Sequence, residues 1–262
     1  MAIGATSRSY FIRFVSAWLL VAVATEIQAA GSVCPDGGTL VAGTEDYRPY
    51  QIVEGTSVSG MDFEVLELIL ARMGCELEIR IMPWTRHLKG IEDGDVHAAS
   101  PVAKSPEREE YAYFSIPYLK SREVLFVPPE HRADHTSLRE FFEAGKILGA
   151  VRDYVYGGDF VALSKEFDTQ ITVQDTEEPM LKQVAIGRID AVIGDAFVVT
   201  SVISQLGLRE EVVRSTTVVS EDDVYFMFSK AAVSLKFIDR FNAELQQMQE
   251  SGEFARITAK YL

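Results

Sequence analysis

Apolar residues recur along this chain in two alternating periods. Residues 39–43 (TLVAG) form a short apolar run of the kind a buried strand shows. Residues 62–72 (DFEVLELILAR) then set Phe63, Leu66, Ile69 and Leu70 at helical spacing, and Met73 extends the stripe. Gly74 stops that helix, because glycine takes the left-handed conformation after a last turn at no steric cost. Residues 77–81 (LEIRI) alternate like a strand, and Pro83 and Trp84 open a second helix, Pro being favoured at a helix start. The order over residues 39–100 is strand, helix, strand, helix, strand, which predicts a βαβαβ unit on a parallel sheet. A second set follows. It has strands at 146–151, 171–173 and 189–193, helices at 154–167, 177–186 and 197–206, and one more strand at 212–214.

One phrase is written nearly twice, as LKGIEDGDVHAAS over residues 88–100 and LKQVAIGRIDAVI over residues 181–193. In each copy a helix must stop, turn on a glycine (Gly94 or Gly187) and start an apolar strand (at Val96 or Ile189). Extended runs lie between and after the two sets, at residues 124–127 before Pro128 and Pro129, and at residues 223–228. Two helices, at 233–249 and 253–260, end the chain and are too little for a domain of their own. The economical layout is two lobes. Residues 30–125 and 218–262 make the first, with the terminal helices packed on it, residues 126–217 make the second, and the two crossing segments act as a hinge.

The first 29 residues read as an address. Arg8 and Arg13 precede an apolar core at 14–25, and Ala29 and Ala30 offer small residues for cleavage, so a signal peptide cut near Ala29 is expected. That core is shorter than the roughly 20 apolar residues a membrane span needs. The product is then an exported, soluble, periplasmic protein. A formal charge of −14 argues against nucleic acid as a partner. Export makes a disulfide the default for the two cysteines, Cys34 and Cys75. Each precedes a predicted strand of the first set, so both fall at the same end of the sheet. No histidine or second cysteine pair stands at metal-ligand spacing, and no metal or cofactor is expected.

Several short motifs stand in order along the chain. They are GTE with YRPY (43–45, 47–50), GMDF (60–63), Pro83 with Trp84, GDVHA (94–98), SPER with FSIPY (105–108, 114–118), GRIDA with Asp195, and ESGEFARI at 250–257. In this order the chain resembles the bacterial extracellular solute-binding proteins of family 3, the amino-acid-type substrate-binding proteins of ABC importers, from about Leu40 to its end. The resemblance implies an α/β, two-lobed periplasmic-binding-protein fold of type II, each lobe a mostly parallel sheet flanked by helices. It implies capture of a small polar ligand, an amino acid or related zwitterion, by hinge closure, and delivery by a monomer to a membrane permease or receptor.

On the same resemblance, Arg108 grips the ligand carboxylate, for which a guanidinium presents parallel donors. Asp195 receives the ammonium from the second lobe, and also reads as a helix N-cap. Tyr47, Tyr50 and Trp84 wall the pocket, Ser100 is the nearby hydroxyl, and Arg152 compensates an acidic neighbour. The chain departs from the pattern too. Ala103 stands where a Ser or Thr helps hold the carboxylate, and Asp153, Tyr154 and Val155 replace a hydroxyl-bearing loop. His97 replaces an aspartate and reads as structural. The identity of the ligand stays open at this point. Two further readings use the same fold: an orphan sensor signalling to a receptor, or a cleft enzyme of the cyclohexadienyl dehydratase type, with Glu45, Asp46, Glu177 and Glu178 as the carboxylates at hand.

Overall fold

Strand β1 (Thr39–Thr44) is buried along almost its whole length, which a strand with neighbours on both sides requires. In this computed structural model, which describes residues 33–261 together with Met1, β1 pairs in parallel with β4 (Glu76–Ile81) and β5 (Ala98–Val102). A small hairpin of β2 (Ile52–Glu54) and β3 (Ser57–Ser59) stands apart. The crossovers are α1 (Met61–Met73) and α2 (Trp84–Asp93). Both end on a left-handed glycine, Gly74 and Gly94, whose N–H caps the last turn. The signal peptide expected over residues 1–29 lies outside the described residues.

After α3 (Pro106–Tyr111) and β6 (Ala112–Phe114), strand β7 (Leu119–Val127) carries the chain into the second group of strands. There β8 (Leu148–Val151), β9 (Ile171–Gln174) and β10 (Ala191–Asp195) pair in parallel, flanked by α4 (Leu138–Glu143), α5 (Phe160–Glu166), α6 (Glu177–Ala185) and α7 (Ala196–Leu206). The return strand β11 (Val213–Ser229) runs for 17 residues. Its first part pairs antiparallel with β7 from Val213↔Val127 to Val224↔Leu119, and its last part with β5 and β6. One mixed sheet results, in the order β4-β1-β5-β11-β7-β10-β8-β9, with β6 also on β11.

The cores follow the strands. Phe226 and Phe228, at the end of β11, are fully buried against Phe237 and Phe241 of α8 (Leu235–Glu250), with Phe228 and Phe241 ring centroids 4.8 Å apart. Leu40, Leu66, Ile69, Leu245, Met248 and Ile257 of α9 (Glu253–Thr258) join the same cluster. Each such side chain contributes roughly 1.5–3 kcal/mol on burial, so the C-terminal helices are held on the first lobe. In the second lobe Val124, Phe126, Val192, Met180 and Val199 pack on one face of the sheet, and Leu125, Phe141, Phe142, Leu148 and Ile193 on the other.

Three expectations change. The sheets are less parallel than predicted, because the two crossing strands run against their neighbours on entering and leaving the second lobe. The strand expected at 212–214 and the run at 223–228 are the two ends of one strand, β11. The helix expected at 154–167 is only Phe160–Glu166. Gly157 and Gly158 precede it, Gly158 in the left-handed conformation at φ +61° and Gly157 packed against the Asp222 carboxylate, which would have to shift to admit a Cβ.

Cys34 and Cys75 are joined, their Cα atoms 5.6 Å apart, at the ends of the adjacent strands β1 and β4. The bridge closes a loop with a sequence separation of 41. Replacing both cysteines by serine should lower the unfolding free energy by about 4 kcal/mol in the chain-entropy account. A urea midpoint unchanged from the oxidised protein would contradict this.

Candidate functional site

The residues after the strand ends converge on one cavity of about 80 Å³ between the lobes. That is room for roughly half a dozen water-sized positions. Tyr47 and Tyr50 reach it from the loop after β1. Gly60 fixes that loop: it sits at φ +123°, and a Cβ there would come within 2.4 Å of the Tyr50 carbonyl. Trp84 enters from the start of α2 and Tyr154 from the loop after β8. The Tyr47 and Tyr154 rings meet edge to face at 5.9 Å, and Trp84 and Tyr154 at 6.3 Å.

Arg108 lies in the first turns of α3, whose N-cap is Ser105. Its side chain is only 6% exposed. Nη1 donates to the carbonyl of Ala103 at 2.9 Å and Nη2 to the carbonyl of Asp153 at 2.8 Å, with the guanidinium 5.4 Å from the Trp84 ring centre. Burial lowers its pKa, though a guanidinium starts high enough to stay charged. Among the described residues no carboxylate pairs with it within 4 Å. Asp153 has φ +59°, an uncommon conformation for a residue with a side chain, and its carbonyl also accepts from Trp84 Nε1 at 3.4 Å.

Asp195 ends β10 and caps α7, Oδ1 accepting from the main-chain N–H of Phe197 (2.9 Å) and Val198 (3.1 Å). Tyr50 donates to it across the cleft at 3.4 Å, and the Ser121 hydroxyl lies 2.8 Å from Oδ2. Ser100 is buried in the middle of β5, its Oγ and carbonyl both facing the amide of Gln51. Thr44 Oγ1 donates to the Oε1 of that amide at 2.8 Å, which orients it.

The cavity thus collects Arg108, Asp195, Tyr47, Tyr50, Trp84 and Ser100. Arg152 stands apart from them. It follows the inward-facing Val151 and so points outward, where its Nε donates to Asp175 at 2.9 Å in an exposed pair. The ligand-facing position expected for it is not the one it occupies.

Sequence reasoning missed Glu123, Ser121, Gln51 and His87, all of which line the cavity. A signal for two of them existed. Along β7 the side chains of Lys120 and Arg122 turn to solvent while Ser121 and Glu123 turn inward, so a period of two puts a carboxylate on the buried face. Gly43 leaves space for the His87 ring, which meets the Ala98 carbonyl at 3.0 Å and would lie 2.4 Å from a Cβ at that glycine. Burial pushes His87 down to about 4, so it is neutral at pH 7.

Acids dominate the electrostatics. Burial, and then the neighbouring Asp195 charge, push Glu123 up to about 8. Burial also raises Glu177, at the start of α6, to about 7, and Asp62, at the start of α1, to about 7. Asp195 and Glu45 are raised by the same cause, against hydrogen bonds that favour their ionised forms. The cavity therefore brings one buried guanidinium, Arg108, together with the desolvated carboxyl groups of Glu45, Glu123 and Asp195.

The chain is 24% identical over 255 residues to the probable amino-acid-binding protein YxeM of Bacillus subtilis, covering 93% of this chain and 94% of that one. It is 22% identical over 254 residues to the arginine-binding extracellular protein ArtP of the same organism, covering 93% and 97%. Its fold matches a histidine kinase sensor domain with similarity to periplasmic binding proteins, with a TM-score of 0.76 at 18% identity over 86% of this chain and 96% of that one. Residues 40–262 match a single family throughout, and the chain belongs to the bacterial extracellular solute-binding proteins, family 3.

Proposed function

We propose that the chain captures a small solute bearing a carboxylate and an ammonium group, an amino acid or related zwitterion, in the cleft between its lobes and presents it to a membrane permease. The observation that carries this reading is one cavity lined from the first lobe by Arg108 and from the second by Asp195. A zwitterion of suitable length answers both charges at once. Arg108 now donates to two neutral carbonyls, and a ligand carboxylate is the stronger acceptor, since charge-assisted hydrogen bonds are roughly twice as strong as neutral ones. Exchange at Asp153 would free that carbonyl to accept an N–H of the ligand.

Capture by closure follows if the ligand binds the closed form better than the open form, because equal affinity for both shifts nothing. The strands β7 and β11, which pair with each other and run into both lobes, are the segments about which the lobes would swing. The names of YxeM and ArtP support an amino-acid ligand. The same capture step would serve a receptor-coupled sensor, a reading favoured by the fold likeness to a kinase sensor domain.

A thermal-shift screen of purified protein against amino acids, polyamines, dipeptides and organic acids tests the ligand class. A ligand at 100 times its Kd should stabilise the fold by about 2.7 kcal/mol. If no zwitterion moves the melting point, the amino-acid reading fails, and turnover of prephenate or arogenate would replace it with a dehydratase. Arg108→Met should weaken a carboxylate-bearing ligand by about 100-fold, the loss of two hydrogen bonds to a charged group. Unchanged affinity would remove Arg108 from the ligand.

The buried acids also set a pH dependence of stability. Glu123, Glu177 and Asp62 have folded pKa values of about 8, 7 and 7, above those of the unfolded chain. Such groups stabilise fully below the unfolded pKa, and that contribution is lost as pH rises through the folded values. His87, held at about 4, acts in the opposite sense, its contribution lost as pH falls from about 6.5 toward 4. The ligand-free protein should therefore melt at a lower temperature at pH 8 than at pH 6, read by calorimetry. A melting temperature that rises over that interval would contradict the assignment.

A further inference from the structure

The acid end of the cavity holds more carboxylate than one ammonium group requires, and counting its hydrogens gives a reason. Glu123 stands directly opposite Asp195 in the antiparallel ladder between β7 and β10. Like charges in that position repel. Ser121, two residues before Glu123 on the same face, sits between them, its Oγ 2.9 Å from Glu123 Oε1 and 2.8 Å from Asp195 Oδ2. A hydroxyl carries one hydrogen. It can donate to one of the two carboxyl groups. The other short contact is a hydrogen bond only if that second group is protonated and donates to the Ser121 oxygen.

The surroundings favour the extra proton. Asp222 on β11 and Glu177 at the start of α6 face Glu123, and Tyr47 adds its hydroxyl-bearing ring from the loop after β1. Tyr50 and the N–H groups of Phe197 and Val198 face Asp195. The charged neighbours of Glu123 are all acids. Its second oxygen, Oε2, is shielded from solvent, has no hydrogen-bond partner, and belongs to a side chain that lines the cavity. A desolvated carboxyl oxygen without a partner carries a cost that a donor on a bound ligand would remove. Burial, which raises both acids, is consistent with a retained proton near neutral pH.

We infer that Glu123 and Asp195 act as one acid pair, bridged by Ser121, that holds a proton in the empty cleft and exchanges it for the cationic group of the ligand. The inference rests on the reading of the cleft as a site for an amine-bearing solute, and it adds Glu123 as a residue that determines specificity. In the exchange the ammonium enters with its charge and hydrogens intact, the carboxyl O–H bond breaks, and the proton passes to solvent. Two carboxylates then share one ammonium, with N–H donors on the oxygens that the proton and Ser121 had served. A ligand with a neutral group at this end cannot displace the proton and binds weakly.

Two measurements test the pair. The first needs no ligand: carbon-13 NMR of the side-chain carboxyl groups in purified wild-type protein and in Glu123→Gln. One carboxyl still protonated at pH 7 in the wild type and absent from the variant supports the pair. Both groups ionised at that pH overturns it, whether or not any ligand binds. The second is calorimetric titration with L-arginine in phosphate and in Tris buffer. Release of about one proton per arginine near pH 7, shrinking above pH 8, is expected, because an adjacent cation lowers a carboxyl pKa by about 1–3. Glu123→Gln should abolish that release and weaken arginine by about tenfold or more. Saturable binding with no buffer dependence, or with affinity unchanged in the variant, overturns the exchange. Failure of arginine to bind at all counts against the ligand reading, while the NMR result still decides the pair.

Discussion

The pairing of β7 with β11 is the constraint on which the rest of the molecule depends. These two strands run through both lobes, hydrogen-bonded to each other from Val213↔Val127 to Val224↔Leu119. The far end of β11 belongs to the aromatic core of the first lobe through Phe226 and Phe228. The far end of β7 belongs to both cores of the second through Val124, Leu125 and Phe126. The ladder slips register twice near Val218, opposite Val124 in the second lobe, and runs regularly from Ser220↔Glu123 to Val224↔Leu119 between the two anchors. On its other edge β7 pairs with β10, which sets the inward-facing Glu123 opposite the terminal Asp195.

That geometry explains why the cavity is electrically lopsided. Strand alternation turns Lys120 and Arg122 to solvent, where Arg122 pairs with Glu221 and Lys120 with Asp223. Their positive charge is thereby screened and spent at the surface. The inward positions keep only Ser121 and Glu123. Desolvation then raises the pKa of Glu123, Asp195 and Glu177, with no ion-paired cation among the described residues to offset it. A fold that is stable without its ligand has to accept such an arrangement in its protonated form. A cationic ligand makes the ionised form acceptable, which couples the occupancy of the cleft to its charge.

Most of the scaffold was legible in the sequence, because burial writes itself as periodicity. The stripe Phe63, Leu66, Ile69, Leu70 and the glycines that end α1 and α2 locate their elements within a residue or so. The cysteine pair followed from expected export together with strand order. What periodicity could not carry was long-range pairing. The sequence left residues 212–214 and 223–228 as separate runs, since Ser220, Glu221 and Asp222 between them interrupt the apolar pattern and are held in the strand by pairing with β7. The site was legible where a motif carried it. SPER marked Arg108, and the apolar strand before Asp195 marked the cap. Arg152 was expected to offset the neighbouring Asp153, whereas it pairs with Asp175 at the surface, its direction set by the alternation that buries Val151. Glu123 was passed over because a single acid in a mixed run reads as surface until its partner across the sheet is known.

The departures from the family pattern fit together once the cavity is seen whole. With Ala103 in place of a hydroxyl, Arg108 has its main-chain carbonyl as a partner on the first lobe, and the left-handed Asp153 supplies a second carbonyl from the other lobe. The guanidinium is therefore satisfied by neutral acceptors before any ligand arrives. A carboxylate gains only the difference between a charged acceptor and these two. At the opposite end the carboxyl groups are desolvated, mutually repelling and incompletely hydrogen-bonded. A cation gains there nearly the whole of a charge-assisted interaction. On the proposed reading, discrimination among ligands would rest on their cationic group more than on their carboxylate, and the residues to set it are those on β7 and at the start of α7.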